Sequence, residues 1–154
     1  MRINAFSDVS LRALMFLATR TEGELQTSRV IAEAVATPYS HVSKAVMRLR
    51  ELGLVESLRG RTGGVRISPA GRTATVGWLL RQLDSRTDVA DCETPHGDCP
   101  LSHGCGLRAA LRRAREAFYA ELDDIVIAGL PHVSFPTPVA LTLASSPERR
   151  PDQG

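Results

Sequence analysis

The fifteen residues DCETPHGDCPLSHGC (91–105) contain every cysteine of the chain: Cys92, Cys99 and Cys105. Two histidines, His96 and His103, and three acids, Asp91, Glu93 and Asp98, lie among them. Thiolates are soft ligands suited to iron–sulfur clusters and zinc. The spacing C-x6-C-x5-C is wider than the C-x2-C knuckles of zinc ribbons and of compact ferredoxin runs. Pro95, Gly97, Pro100, Gly104 and Gly106 interrupt any regular period, so the stretch reads as a loop able to wrap a bulky group. Three thiolates leave one iron of a four-iron cluster without a sulfur ligand from the protein. That iron takes a harder ligand or stays open to small molecules. Asp91, Glu93, His96, Asp98 and His103 are all candidates to complete the site, with His103 restricted in reach by its closeness to Cys105. Two other chemistries fit the same residues. One is a structural zinc held by the three cysteines and one histidine; the other is a thiol switch forming a disulfide between two of the three.

The rest of the chain must position this loop. Its 154 residues suit one domain with an extension, and a hydrophobic fraction of 43% is enough for a core that needs no disulfide staples. No apolar run approaches the ~20 residues needed to span a bilayer. The start, MRINAFSDVS, lacks the apolar core of a secretory signal, so the expected location is the cytoplasm, where thiols stay reduced. Charge is uneven. Residues 1–86 carry 13 basic and 7 acidic side chains, a net +6, whereas residues 87–154 carry 6 and 10, a net −4. A basic front half points to a polyanionic partner.

Apolar spacing predicts a first helix over 7–20, with Leu11, Leu14, Leu17 and Ala18 inward and Ser7 or Asp8 as N-cap. A second helix is expected over 27–36, capped by Thr27 or Ser28, with Val30, Ile31, Ala34 and Val35 as its apolar face. Pro38 ends that segment, since the residue before proline disfavours helix. A third helix from Ser40 to Leu52 has the stripe Val42, Ala45, Val46, Leu49 and Leu52, and Gly53 stands at its C-terminal cap. LVESL (54–58) and GVRIS (64–68) read as a hairpin. A helix over 69–85 with Trp78, Leu79 and Leu83 precedes the cysteine loop. A long helix over 107–130 follows it, with the seam Leu107, Leu111, Ala114, Phe118, Leu122 and Ile125. The tail 131–154 holds Pro131, Pro136, Pro138, Pro147 and Pro151 and is expected to be extended or disordered.

Two helices, a tight turn and a glycine-rich hairpin define a mainly α chain. Its expected parts are a winged helix–turn–helix domain (1–85), the cysteine loop as cluster-binding segment (86–106), a dimerisation helix (107–130) and a flexible tail (131–154). Opposite the apolar stripe of the third helix lie Ser40, Lys44, Met47 and Glu51, flanked by Ser43 and Arg48. Ser40, His41, Ser43 and Lys44, in its N-terminal half, are the expected base readers, with Arg48 on a phosphate or base. In the hairpin, RGRTGG puts Arg59 and Arg61 at a slim tip suited to a minor groove, with Arg66 on the returning strand. Ser28, Tyr39 and Gly63 complete the candidate DNA-binding set. The seam of the last helix is expected to pack against a second copy and so supply the two half-sites that specific operators require. No glycine fingerprint for nucleotides and no nucleophile–base pair is present, so the chain is not read as an enzyme.

Taken together, FSDVSLRALMFLA, IAEAVATPYSHVSKAVMRLRELGLVES, RGRTGGVRIS and the three cysteines before a long helix resemble the NsrR/IscR-type winged-helix iron–sulfur repressors over about residues 1–130. The resemblance is strongest to the nitric-oxide-sensing members. It implies a homodimer with one iron–sulfur cluster per subunit, of 4Fe–4S type, that binds double-stranded operator DNA in the holo form and releases it when nitric oxide nitrosylates the cluster. It assigns Cys92, Cys99 and Cys105 as ligands. It also points to Asp8, supplied by the partner subunit, as the fourth, a residue that its sequence position alone would make an N-cap or first-turn acid. IscR-like members carry a ligand histidine three residues after the last cysteine; Arg108 occupies that position here. The alternatives are a regulator responding to iron–sulfur supply or redox state, and a zinc-stabilised DNA-binding or interaction module.

Overall fold

Asn4, not Ser7 or Asp8, opens the first helix. Its side-chain oxygen accepts the Ser7 amide at 2.7 Å, and α1 runs Ala5–Ala18. The computed structural model describes residues 3–60, 62–84 and 105–131. Helix α2 (Ser28–Ala34) is capped by Thr27, whose hydroxyl accepts the Val30 amide at 3.3 Å. Helix α3 (Tyr39–Glu51) begins one residue before the expected start, with Pro38 as its cap position. It ends as expected: Gly53 sits at φ +74, with its amide on the Arg50 carbonyl at 2.9 Å and the Leu54 amide on that of Leu49 at 2.9 Å.

Strands β1 (Val55–Leu58) and β2 (Gly64–Ile67) form the antiparallel hairpin, with Val55 opposite Ile67 and Leu58 opposite Gly64. Gln26 and Val65 exchange two backbone hydrogen bonds of 2.8 Å, tying the hairpin to the segment before α2. Ser68 secures its far end: the buried hydroxyl donates to the Gly53 carbonyl at 2.6 Å and accepts the Gly71 amide at 3.0 Å.

Beyond the hairpin, the segment expected as one helix is two, α4 (Pro69–Thr73) and α5 (Val76–Leu83), separated by an extended Ala74. Trp78 turns outward, and Leu79, Leu80 and Leu83 supply the buried face. The last helix, α6 (Gly106–Glu121), stops nine residues before the expected Leu130. Both departures have one cause. After α6 the chain returns across the start of α5: the Val76 amide donates to Ile125 O (2.9 Å), the Gly77 amide to Leu122 O (2.9 Å) and the Ile127 amide to Ala74 O (3.0 Å). These tertiary bonds replace helical ones on both segments, and a 3-10 turn, Ile127–Gly129, drops Ile127 into the core.

That core joins Leu14, Phe16 and Leu17 of α1, Ile31 of α2, Val42, Ala45 and Leu49 of α3, Leu79 of α5 and Ile127. Cutting one such leucine to alanine costs about 2–5 kcal/mol, so the core fixes the placement of α3 and the hairpin rigidly. Among the described residues, no helix is long and apolar enough to cross a membrane.

Candidate nucleic-acid interface and metal-ligand residues

Burial of Val42, Ala45, Val46 and Leu49 leaves the opposite side of α3 to solvent. Tyr39, Ser40, His41, Lys44 and Met47 are exposed there, while Ser43 and Arg48 are half-buried at its edges. Arg48 is partly committed within the subunit, donating to Glu51 Oε2 at 3.1 Å and to the Gln82 carbonyl at 3.3 Å. Ser28 is half-buried in the first turn of α2.

The hairpin tip carries Arg59 exposed to solvent; Arg61 lies outside the described residues. Arg66 is engaged, its Nε donating to Glu56 Oε2 at 2.8 Å across the strands. Gly63 has a local reason to be glycine, since a Cβ there would run into the Leu58 and Gly60 carbonyl oxygens. The tip therefore stays narrow as well as basic.

Of the expected metal ligands, Asp8 and Cys105 are described; Cys92, Cys99 and the loop candidates Asp91, Glu93, His96, Asp98 and His103 lie outside the described residues. Asp8 sits in the first turn of α1 with its side chain 38% exposed, and it pairs with Arg12 one turn on, at 2.8 and 3.1 Å. Cys105 is half-buried, not in a disulfide, and stands at the N-cap of α6. The Cys105 side chain makes no capping hydrogen bond to the helix. Among the described residues no three His, Cys, Asp or Glu side chains converge on one point. The donor chemistry of Cys105 and Asp8, a thiol at a helix start and a surface-accessible carboxylate, fits a cluster held by thiolates and one oxygen.

A family model described as "Rrf2: Iron-dependent Transcriptional regulator" matches residues 3–132. The chain belongs to the Rrf2 family. It is a winged-helix, DNA-binding transcriptional regulator and not an enzyme. It is 48% identical over 151 residues to the "HTH-type transcriptional repressor NsrR" of Streptomyces coelicolor, covering 96% of this chain and 99% of that protein. It is 34% identical over 131 residues to the "HTH-type transcriptional regulator NsrR" of Geobacillus kaustophilus, covering 84% and 89%. Two solved structures share the fold. "T. potens IscR" aligns with a TM-score of 0.64 at 20% identity, covering 83% of this chain and 84% of that one. The oxidized form of Staphylococcus aureus CymR gives 0.64 at 23% identity, covering 87% and 98%.

Two features of this Rrf2 chain were not anticipated from its residues. Arg29, exposed on α2, places its guanidinium 5.7 Å from the Tyr39 ring centroid, within cation–π range, and so adds a cation to the start of α3. The spacing of residues 29 and 39 carries no sign of this contact, which depends on the α2–α3 turn. The second is a polar clamp between α5 and α6. Arg81 donates to Glu116 Oε1 (2.7 Å) and Asp123 Oδ2 (3.0 Å) and lies over the Tyr119 ring, and the Tyr119 hydroxyl donates to the Asp84 carboxylate. The Arg81 bond holds the Asp123 carboxyl below the usual carboxylate range. Asp84 caps the C-terminus of α5, so the clamp ties the end of that helix to α6.

Proposed function

We propose that this Rrf2 chain is a nitric-oxide-sensing repressor that works as a homodimer with one 4Fe–4S cluster per subunit. Cys92, Cys99 and Cys105 hold the cluster from one subunit, and Asp8 of the partner subunit supplies the oxygen ligand. The observation that carries the reading is Cys105 at the N-cap of α6. This places the third thiol at the base of a helix whose Leu107 is 67% exposed and whose Leu111 is also uncovered. One segment thus joins a soft ligand to an apolar face suited to a second copy. The kinship to the S. coelicolor repressor supports the same assignment.

When bound, the cluster supplies one iron with a labile, non-thiolate ligand at which nitric oxide reacts. The chain's own residues do the rest. Ser40, His41, Ser43 and Lys44 face base edges, Ser28, Tyr39, Arg48 and Arg66 lie beside the backbone, and Arg59 and Arg61 reach a minor groove around the turn that Gly63 permits. Asp8 has an alternative partner in Arg12. An exposed pair of this kind contributes no more than about 1 kcal/mol, so Arg12 holds Asp8 in place without preventing it from serving as a ligand. Because Asp8 belongs to α1, which packs on α3, its engagement across the dimer couples the cluster to the orientation of the two reading helices.

Asp8→Ala tests the assignment. In anaerobically purified protein the three thiolates retain a coloured cluster, but its absorption and circular dichroism shift and its reaction with nitric oxide changes in rate. A spectrum and nitric-oxide response identical to wild type would remove Asp8 from the site, and a colourless wild-type protein containing zinc would remove the cluster.

A further inference from the structure

One side chain on the outward face of α3 does not fit with its neighbours. Ser40, Ser43 and Lys44 are polar, as a face turned to water or to base edges should be, yet Met47 continues their line and is 53% exposed. Its outward direction is fixed, because Val46 and Leu49 beside it are buried in the core. No fold requirement places an apolar group there. From Ser40 to Met47 the helix advances about 10 Å, or about three base-pair steps of duplex at ~3.4 Å each. Met47 therefore belongs to the same reading surface as the polar residues at the helix start. The hydrogen-bonding groups of a base pair's major-groove edge offer little to a thioether, whose sulfur is only a weak acceptor. The edge has one apolar feature, the 5-methyl of thymine. An unbranched, polarizable side chain on a rigid helix can settle against a methyl without needing an exact rotamer.

We propose that Met47 is a specificity-determining residue that reads a thymine 5-methyl group in each operator half-site. The inference rests on α3 being the DNA-reading helix and adds to it a base preference that its polar residues do not specify.

Anaerobically purified full-length protein is used to select binders from a pool of random-sequence duplexes. The best duplex is then remade with each thymine replaced singly by deoxyuridine, which deletes only the methyl. At one position per half-site, wild-type protein loses about three- to tenfold in affinity, the range expected for one buried methyl on a well-fitted surface. Met47→Gln, similar in length and helix propensity, binds the thymine and uracil duplexes within about twofold of each other at that position. Met47→Leu keeps the discrimination, which separates lost contact from lost folding. Wild-type protein indifferent to every uracil overturns the inference, as does a Met47→Gln protein with an undiminished uracil penalty. In both cases α3 remains the reading helix. If no duplex is enriched at all, the DNA-reading assignment fails and the inference with it.

Discussion

Ala36 occupies φ +50 in the turn between α2 and α3, a conformation that glycine adopts without steric cost and alanine does not. The surrounding bonds explain why it is held there: the Ala36 amide donates to Glu33 O at 3.2 Å and the Thr37 amide to Ala32 O at 3.0 Å. The same pair of bonds ends α3, where the equivalent residue is Gly53. Ala36→Gly should therefore stabilise the protein by about 1 kcal/mol, the strain of the left-handed alanine outweighing the extra freedom glycine has when unfolded. A rise in the urea midpoint checks this, and a fall would contradict it. At this scale the caps were only partly legible. Thr27 and Gly53 stand where their types predict. Ser7 and Asp8 are cap-type residues that Asn4 pre-empts, leaving Ser7 buried and Asp8 free to pair with Arg12. Cys105 was legible as a ligand type but not as the start of a helix.

For the elements, apolar periodicity located α1, α2 and α3 to within a few residues because each presents one face to one core. It failed where a segment's backbone is claimed by a distant one. Residues 69–85 and 107–130 both carry helical patterns, and both are broken by hydrogen bonds they make to each other. The seam expected for a dimer is divided accordingly. Leu107 and Leu111 are uncovered, while Phe118 and Leu122 pack partly on the subunit's own core. Tyr119 is the buried hinge of this packing. Burial first, and its hydrogen bond to Asp84 second, push its pKa from the ordinary 10.0 up to about 12. Folding favours the neutral phenol, so its stabilisation is complete below pH 10 and is lost as pH rises through about 12. Tyr119→Phe should cost about 1 kcal/mol at neutral pH by removing the bond to Asp84. It should also flatten the decline of stability above pH 10, as read by urea midpoints across that range. An unchanged alkaline decline in the variant would place its cause elsewhere.

Over the whole molecule, the charge asymmetry proved the most direct guide. The basic half folds into the helix–turn–helix and wing, and the segment carrying every cysteine joins that domain to α6. The domain class was legible because winged helices place few, spaced signals: a stripe, a cap glycine and an arginine-rich turn. What one chain's sequence does not encode locally is contact between copies, and the proposed Asp8 ligand is such a contact. Its residue type suits a helix start as well as an iron, and only assembly distinguishes the two roles. The most direct measurement is an anaerobic titration of the holo protein with nitric oxide, followed by absorption and by gel shift of operator DNA on the same samples. Loss of the cluster absorption and loss of the shifted DNA band should proceed together. A band that persists after the cluster has fully reacted would contradict the account.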